Sequence, residues 1–285
     1  MTWLAIALVG IGTGDLVRST GKPPSRTLGH VVTPLVILVL GLLAGMRTWA
    51  DWVALFLAAV AGAGWAELSR QTQRTGHRAG APLALFAALV VGLVGFSGAA
   101  SHPDGPLATW LHWADLPKGH GPLAPARMLL LTGLALFNLA TANVIVRLVL
   151  LTIGALRPSD VTNANAAAAA AAASAGQPAP PASRQPADRL KGGRLLGPME
   201  RLVILGLGLA GQFGAAGLVI AAKGLLRFPE IQAAARSADP ASTGAPSVTG
   251  TYNGGPAGID DVTEYFLVGS FVSWLIALGS LALTI

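Results

Sequence analysis

No cysteine occurs among the 285 residues, which excludes disulfides, thiolate zinc sites, iron–sulfur clusters and cysteine nucleophiles. The absence leaves the compartment open, since a thiol-free chain fits either redox environment. Charge is also scarce. Only 11% of residues are Asp, Glu, Lys or Arg, against about a quarter in an ordinary soluble domain. Too few polar side chains are present to coat a water-soluble globule of this length. No basic stripe interleaved with aromatics appears, which argues against a nucleic-acid partner. Alternating ten-residue patterns of the kind that build a membrane barrel are absent as well.

What the chain does have is apolar length. Hydrophobic residues make up 53% of it and the mean hydropathy is +0.60. A helix rises 1.5 Å per residue and needs about 20 apolar residues to cross the hydrocarbon core of a bilayer. Seven stretches, six to eight allowing for marginal cases, meet that need or approach it: 2–17, 28–46, 49–66, 82–100, 128–156, 202–222 and 265–285. In lipid the backbone must satisfy its own hydrogen bonds, so these stretches are expected to be helices. The expected fold is an all-α, polytopic transmembrane bundle. The first stretch does not read as a signal peptide, because no Lys or Arg precedes it and the basic residues follow it.

Two stretches read as disordered linkers. Residues 157–194 hold eight consecutive alanines, Ala166 to Ala173, followed by a Pro-rich run, and residues 232–258 are Ala, Ser, Thr, Gly and Pro. Neither composition buries enough surface to fold. The division expected from them is an N-terminal membrane domain of about five helices (1–156), the linker (157–194), and a C-terminal domain of about two helices (195–285).

Basic residues outnumber acidic ones by nineteen to thirteen, for a formal charge of +6. In a membrane chain this excess reports orientation, because Lys and Arg stay on the cytoplasmic side. With the N-terminus outside and every stretch crossing once, thirteen basic residues fall inside and six outside. A competing arrangement breaks the sixth stretch at Gly211-Gln212-Phe213-Gly214 and returns it as a re-entrant hairpin. That moves Lys223, Arg227 and Arg236 inside, giving sixteen against three. The single crossing is the expectation.

The most specific pattern lies in the C-terminal third. Gly197-Pro-Met-Glu200-Arg201-Leu-Val-Ile is followed by Gly217-Leu-Val-Ile-Ala-Ala-Lys223, by Arg227-Phe228, and then by Glu264-Tyr265-Phe-Leu-Val-Gly269-Ser270-Phe-Val-Ser273. Over roughly 60 residues this resembles an uncharacterised family of bacterial integral membrane proteins with the patterns G-x-x-E-R-x-L-I, A-I-G-x-L-I-A-A-K-S-x-x-R-F and E-Y-x-L-I-G-T-x-x-S. Near the N-terminus Asp15 and His30 fit the same family. Ile11 stands where its first His is expected, and Arg18 or Ser19 where a Gln is expected. The resemblance implies a bacterial inner-membrane protein and implies no reaction.

Charges in or beside a span are costly and mark candidate sites. Asp15, Arg147, Glu200 and Arg201 fall at the expected cytoplasmic edge. Asp15 and Arg147 are candidates to pair, as are Glu200 and an Arg of a neighbouring helix. The competing readings are an ion-linked gate and an interhelical clasp, the latter with Arg147 snorkelling to the interface. Asn143 lies one turn from Arg147 on the same helix face, whereas Asn138 points about 140° away from Asn143 in a regular helix. Gln212 falls near the middle of the sixth stretch and is the leading single candidate, as a substrate contact at a helix break or as an interhelical amide bond. Lys223 completes the family-matched polar set. His102, Asp104, His112, Asp115 and His120 share one loop without metal-ligand spacing, so no metal or cofactor is expected. Small-residue pairs such as Gly10 and Gly14 permit close helix packing or dimerisation.

The function expected from these residues is that of a non-enzymatic membrane component that packs in the bilayer with itself or with a membrane partner. The alternative is a small-molecule or ion transporter with a polar path through Gln212, Asn143, Arg147 and Asp15. A membrane-embedded enzyme ranks third.

Overall fold

The structure is a computed structural model describing residues 1–20, 23–114, 124–154, 170, 174, 193–237 and 259–284. Among these it is helical and contains no strand. The helices are α1 (Thr2–Ser19), α2 (Pro23–Leu43), α3 (Trp49–Thr75), α4 (Gly80–Gly95), α5 (Pro106–Ala114), α6 (Pro125–Thr152), α7 (Gly193–Leu209), α8 (Phe213–Ser237) and α9 (Ile259–Ala282). The Ala/Pro-rich linker, apart from two isolated positions, lies outside the described residues, as do residues 238–258 of the second linker.

α1 is the axis of the bundle. It carries no charge before Asp15 and is buried on every side from Thr2 to Gly12, as a helix apolar all round must be. α2, α3 and α6 pack around it. Glycines set the spacing. A Cβ at Gly133 of α6 would come 2.9 Å from the Ala5 carbonyl oxygen, and one at Gly12 would come 2.8 Å from Leu136 Cβ. Gly10 and Gly14 face Ile37 and Thr33 of α2, so this small-residue pair is spent on packing within the chain.

α6 is continuous but irregular, with a π turn at Phe137–Thr141. The missing Cβ of Gly12 makes room for it, since that atom would sit 3.0 Å from the Leu136 carbonyl carbon and 3.2 Å from Phe137 N. α7 and α9 pack on the side of α6 away from α1, and α8 packs on α7 and α9.

Among the described residues two helices are long and apolar enough to cross a membrane: α3, with 27 residues, and α6, with 28. The expected set of about seven spans is therefore not what the helices provide. Apolar segments 28–43, 80–95, 213–225 and 267–282 are shorter. The largest departure is the sixth stretch. The chain does not run straight through 202–222 but reverses after Leu209. Gly211 adopts φ +73°, Gln212 N donates to the Leu207 carbonyl at 2.8 Å and Gly211 N to the Gly208 carbonyl at 3.0 Å. This is a Schellman stop, in which a left-handed residue satisfies the last carbonyls of the helix. The hairpin at Gly211 is thus the arrangement present, and the C-terminal part holds three helices where two were expected.

Other boundaries shift for local reasons. α3 continues past the apolar stretch to Thr75 because Glu67, Arg70 and Gln71 bond to one another along its face. It ends at Gly76, with φ +73°. α8 runs to Ser237, so the start of the expected second linker is helical. α5 falls in what reads as a loop, pinned by buried Leu111.

Candidate functional site

The buried ionic side chains gather in three places. At the start of α3, Asp51 is fully buried. The Thr48-x-x-Asp51 spacing forms a capping box: Asp51 N donates to Thr48 Oγ1 at 3.2 Å, and Thr48 N donates back to Asp51 Oδ2 at 3.1 Å. The same carboxylate takes Trp3 Nε1 at 2.7 Å, Ser101 N at 3.1 Å and Ser101 Oγ at 2.7 Å. It ties together the first residues of α1, the cap of α3 and the loop after α4. Asp51 was not among the candidates drawn from the sequence, although the capping-box spacing is visible there.

At the opposite end of α1, Asp15 is buried. Its Oδ1 pairs with Arg18 one turn along, and its Oδ2 accepts Trp65 Nε1 from α3 at 3.1 Å. Arg18 in turn donates to the Ala66 carbonyl at 2.6 Å, while its Nε has no partner among the described residues. Beside this pair, Glu67 accepts from Arg70 Nε at 3.0 Å, and His30 Nε2 stands 3.6 Å from Glu67 Oε2.

The third cluster joins the two halves of the chain. Arg201, on α7, is buried at 2% exposure. Its Nε donates to the Asn138 carbonyl inside the π turn at 3.0 Å, one terminal nitrogen donates to Ser273 Oγ of α9 at 2.9 Å, and the other donates to Asn143 Oδ1. Asn138 Nδ2 donates to Ser280 Oγ of α9 at 2.9 Å. One residue before Arg201, Glu200 pairs with Lys223 of α8 and accepts Trp274 Nε1 from α9 at 3.1 Å. The short turn after α7 allows this pairing, because it folds α8 back alongside α7.

The π turn explains why both asparagines serve one cluster. The 140° separation assumes α geometry, whereas in a π turn the hydrogen bonds run from i to i+5. Residues five apart, such as 138 and 143, are then neighbours along the helix. Two buried oxygens of this segment, Asn138 Oδ1 and Thr141 Oγ1, have no partner among the described residues.

The second and third clusters are linked by packing. The Trp65 ring, held by Asp15, lies 5.1 Å from the Phe86 ring, and Phe86 stacks on Phe137 at 5.7 Å. Phe137 opens the π turn that Arg201 holds.

The sequence-derived candidates therefore separate. Glu200, Arg201, Lys223 and Asn143 come together. Asp15 belongs to the other cluster and pairs with Arg18, not with Arg147. Arg147 is exposed on α6 and, among the described residues, forms no ion pair. Gln212 is exposed at the turn between α7 and α8, where its backbone rather than its amide does the work. Ser273 entered only as part of the family-like pattern and not as a site residue, and Trp274 and Ser280 were missed. Serine and tryptophan in an apolar segment carry no charge signal, and only the seven-residue spacing of the serines hints at a shared face. Of the loop candidates, Asp115 and His120 lie outside the described residues, and among the described ones no three potential metal ligands converge.

No protein-family model, curated protein or solved structure matches this chain.

Proposed function

We propose that the chain is a multi-pass membrane protein without catalytic activity, a packed bilayer component whose polar clusters clasp its helices and which assembles with itself or with a membrane partner. The observation that carries this reading is how the buried ionic groups spend their hydrogen bonds. Asp15, Asp51, Glu200 and Arg201 each bond to side chains or backbone of at least one other segment.

The surface supports lipid as the surroundings. Leu28, Val31, Leu35, Val39 and Leu42 follow one face of α2, each between 43% and 61% exposed. Val53, Phe56, Leu57 and Val60 do the same on α3. Continuous apolar stripes on the outside of a helix mark surfaces that meet a membrane or a partner. Trp49, Phe96, Trp110 and Trp113 are exposed at the end where α1 begins, as in an interfacial aromatic belt. Arg70, Arg74 and Arg78 lie at the other end. The reversal at Gly211 folds α8 back alongside α7, as the re-entrant arrangement of the sixth stretch expects. The N-terminus is then outside and the Arg-rich end of α3 in the cytoplasm, with a bacterial inner membrane implied by the resemblance noted above.

A second reading is favoured by one observation. In the third cluster, two cations, Arg201 and Lys223, face one described carboxylate, Glu200. Among the described residues the cluster therefore carries one unbalanced positive charge in a low-dielectric interior. An anion path past Arg201 accounts for that charge as well.

Extraction in mild detergent followed by native mass spectrometry, together with anion and proton flux in liposomes, separates the two. A stable complex and silent liposomes support the assembly reading. A lone monomer that conducts an anion, with conduction lost in Arg201→Met, overturns it.

A further inference from the structure

A cleft of about 690 Å³ opens at the aromatic end of the bundle, lined by Arg47, Asp104, Thr109, Trp110 and Trp113. The cleft is shallow and open to the surroundings, so a ligand lies across it rather than inside it. Its floor is rigid. Gly45 and Gly105 pack so closely that a Cβ at Gly105 would come 2.6 Å from the Leu43 carbonyl oxygen, and Gly105 N donates to the Ala44 carbonyl at 3.2 Å. Buried Leu111 holds α5 down. Ser101, three residues before Asp104, is fastened to Asp51.

The lining has a particular chemistry. Arg47 and Asp104 share the cleft, yet among the described residues neither forms an ion pair with the other or with anything else. One cation and one anion that line the same cleft without pairing among the described residues, together with the indoles of Trp110 and Trp113, match a ligand carrying both a phosphate and an ammonium. Arginine donates to phosphate oxygens, while a carboxylate and indole faces attract an ammonium. Trp113 is 81% exposed and Trp110 49% exposed, an unusual surface for water but an ordinary one at headgroup depth.

We propose that this cleft binds the zwitterionic headgroup of a phospholipid, with its phosphate on Arg47 and its ammonium between Asp104 and the two indoles. The inference rests on the membrane reading above.

The test uses the full chain in detergent, titrated with phosphatidylethanolamine or with phosphatidylglycerol of the same acyl chains, and reads thermal stabilisation. Phosphatidylethanolamine is expected to stabilise at the lower concentration. Arg47→Ala weakens that response about tenfold, and Asp104→Asn shifts the preference toward phosphatidylglycerol. Equal response of the unsubstituted chain to both lipids overturns the proposal, as does a preference unchanged by Asp104→Asn, which is isosteric and keeps the fold. Failure of the membrane reading shows separately, as a chain that stays monodisperse in buffer without detergent.

Discussion

Arg201 Nε and the Asn138 carbonyl stand 3.0 Å apart, so a charged group of the C-terminal half is bonded to main chain in the middle of an N-terminal helix. A carbonyl inside a π turn is offered differently from one in a regular helix, and Arg201 takes it up. Local irregularity in α6 and a buried cation in α7 thus account for each other.

Arg201→Met removes three hydrogen bonds and leaves the Asn138 carbonyl, Asn143 Oδ1 and Ser273 Oγ without their donor. Relief from burying a charge offsets part of the loss. The expected net cost is about 2 kcal/mol, read as a lower midpoint in thermal unfolding in detergent. Arg201→Lys keeps the charge without the planar fork and is expected to recover less than half of the loss. A midpoint unchanged in Arg201→Met would remove the clasp.

Trp65→Phe keeps a ring against Phe86 but deletes the N–H that Asp15 Oδ2 accepts. The expected cost is about 1–3 kcal/mol. Because Trp65, Phe86 and Phe137 are in contact, the double variant with Arg201→Met is expected to depart from additivity by about 0.5 kcal/mol or more. Strict additivity would show that the two clusters are energetically separate.

Two glycine substitutions should go in opposite directions. Gly133→Ala pushes a methyl group toward the backbone of α1, where the nearest atom is the Ala5 carbonyl oxygen at 2.9 Å, so the helices must part and the protein loses stability. Gly206→Ala meets nothing within 4 Å and is expected to add about 0.5–1 kcal/mol through helix propensity. Unfolding midpoints of the two variants against the parent decide it.

At the hairpin the backbone matters more than the amide. Gln212→Ala is expected to change stability by no more than about 0.5 kcal/mol, since Gln212 N still reaches the Leu207 carbonyl. Gly211→Ala forces an L-residue to φ +73° and is expected to cost about 1–2 kcal/mol. If Gln212→Ala proved the more damaging of the two, the amide would have a role beyond the turn.

Orientation is open to a clean test because the chain has no cysteine. In intact cells, a membrane-impermeant thiol reagent is expected to label His102→Cys and to spare Arg74→Cys until the membrane is broken. The reverse pattern would invert the bundle.

Composition and residue order alone determined that the chain is helical and that it holds helices apolar and long enough to cross a membrane, because scarcity of charge and apolar run length are properties of the sequence rather than of spatial neighbours. Most helix positions followed from the same runs, and Glu200, Arg201 and Asn143 were among the candidates that charge and polarity in apolar surroundings marked, with Lys223 added by the family-like pattern. Only the tertiary structure decided which of these meet. Arg147 and Gln212 look as costly in sequence as Arg201, yet they face outward, and a linear pattern does not say which side of a helix a neighbour will cover. The π turn at Phe137–Thr141 depends on Gly12 of a different helix, and the reversal at Gly211 depends on one left-handed residue within an otherwise unbroken apolar run. Both are set by close approach and backbone geometry, which the order of residues records only indirectly.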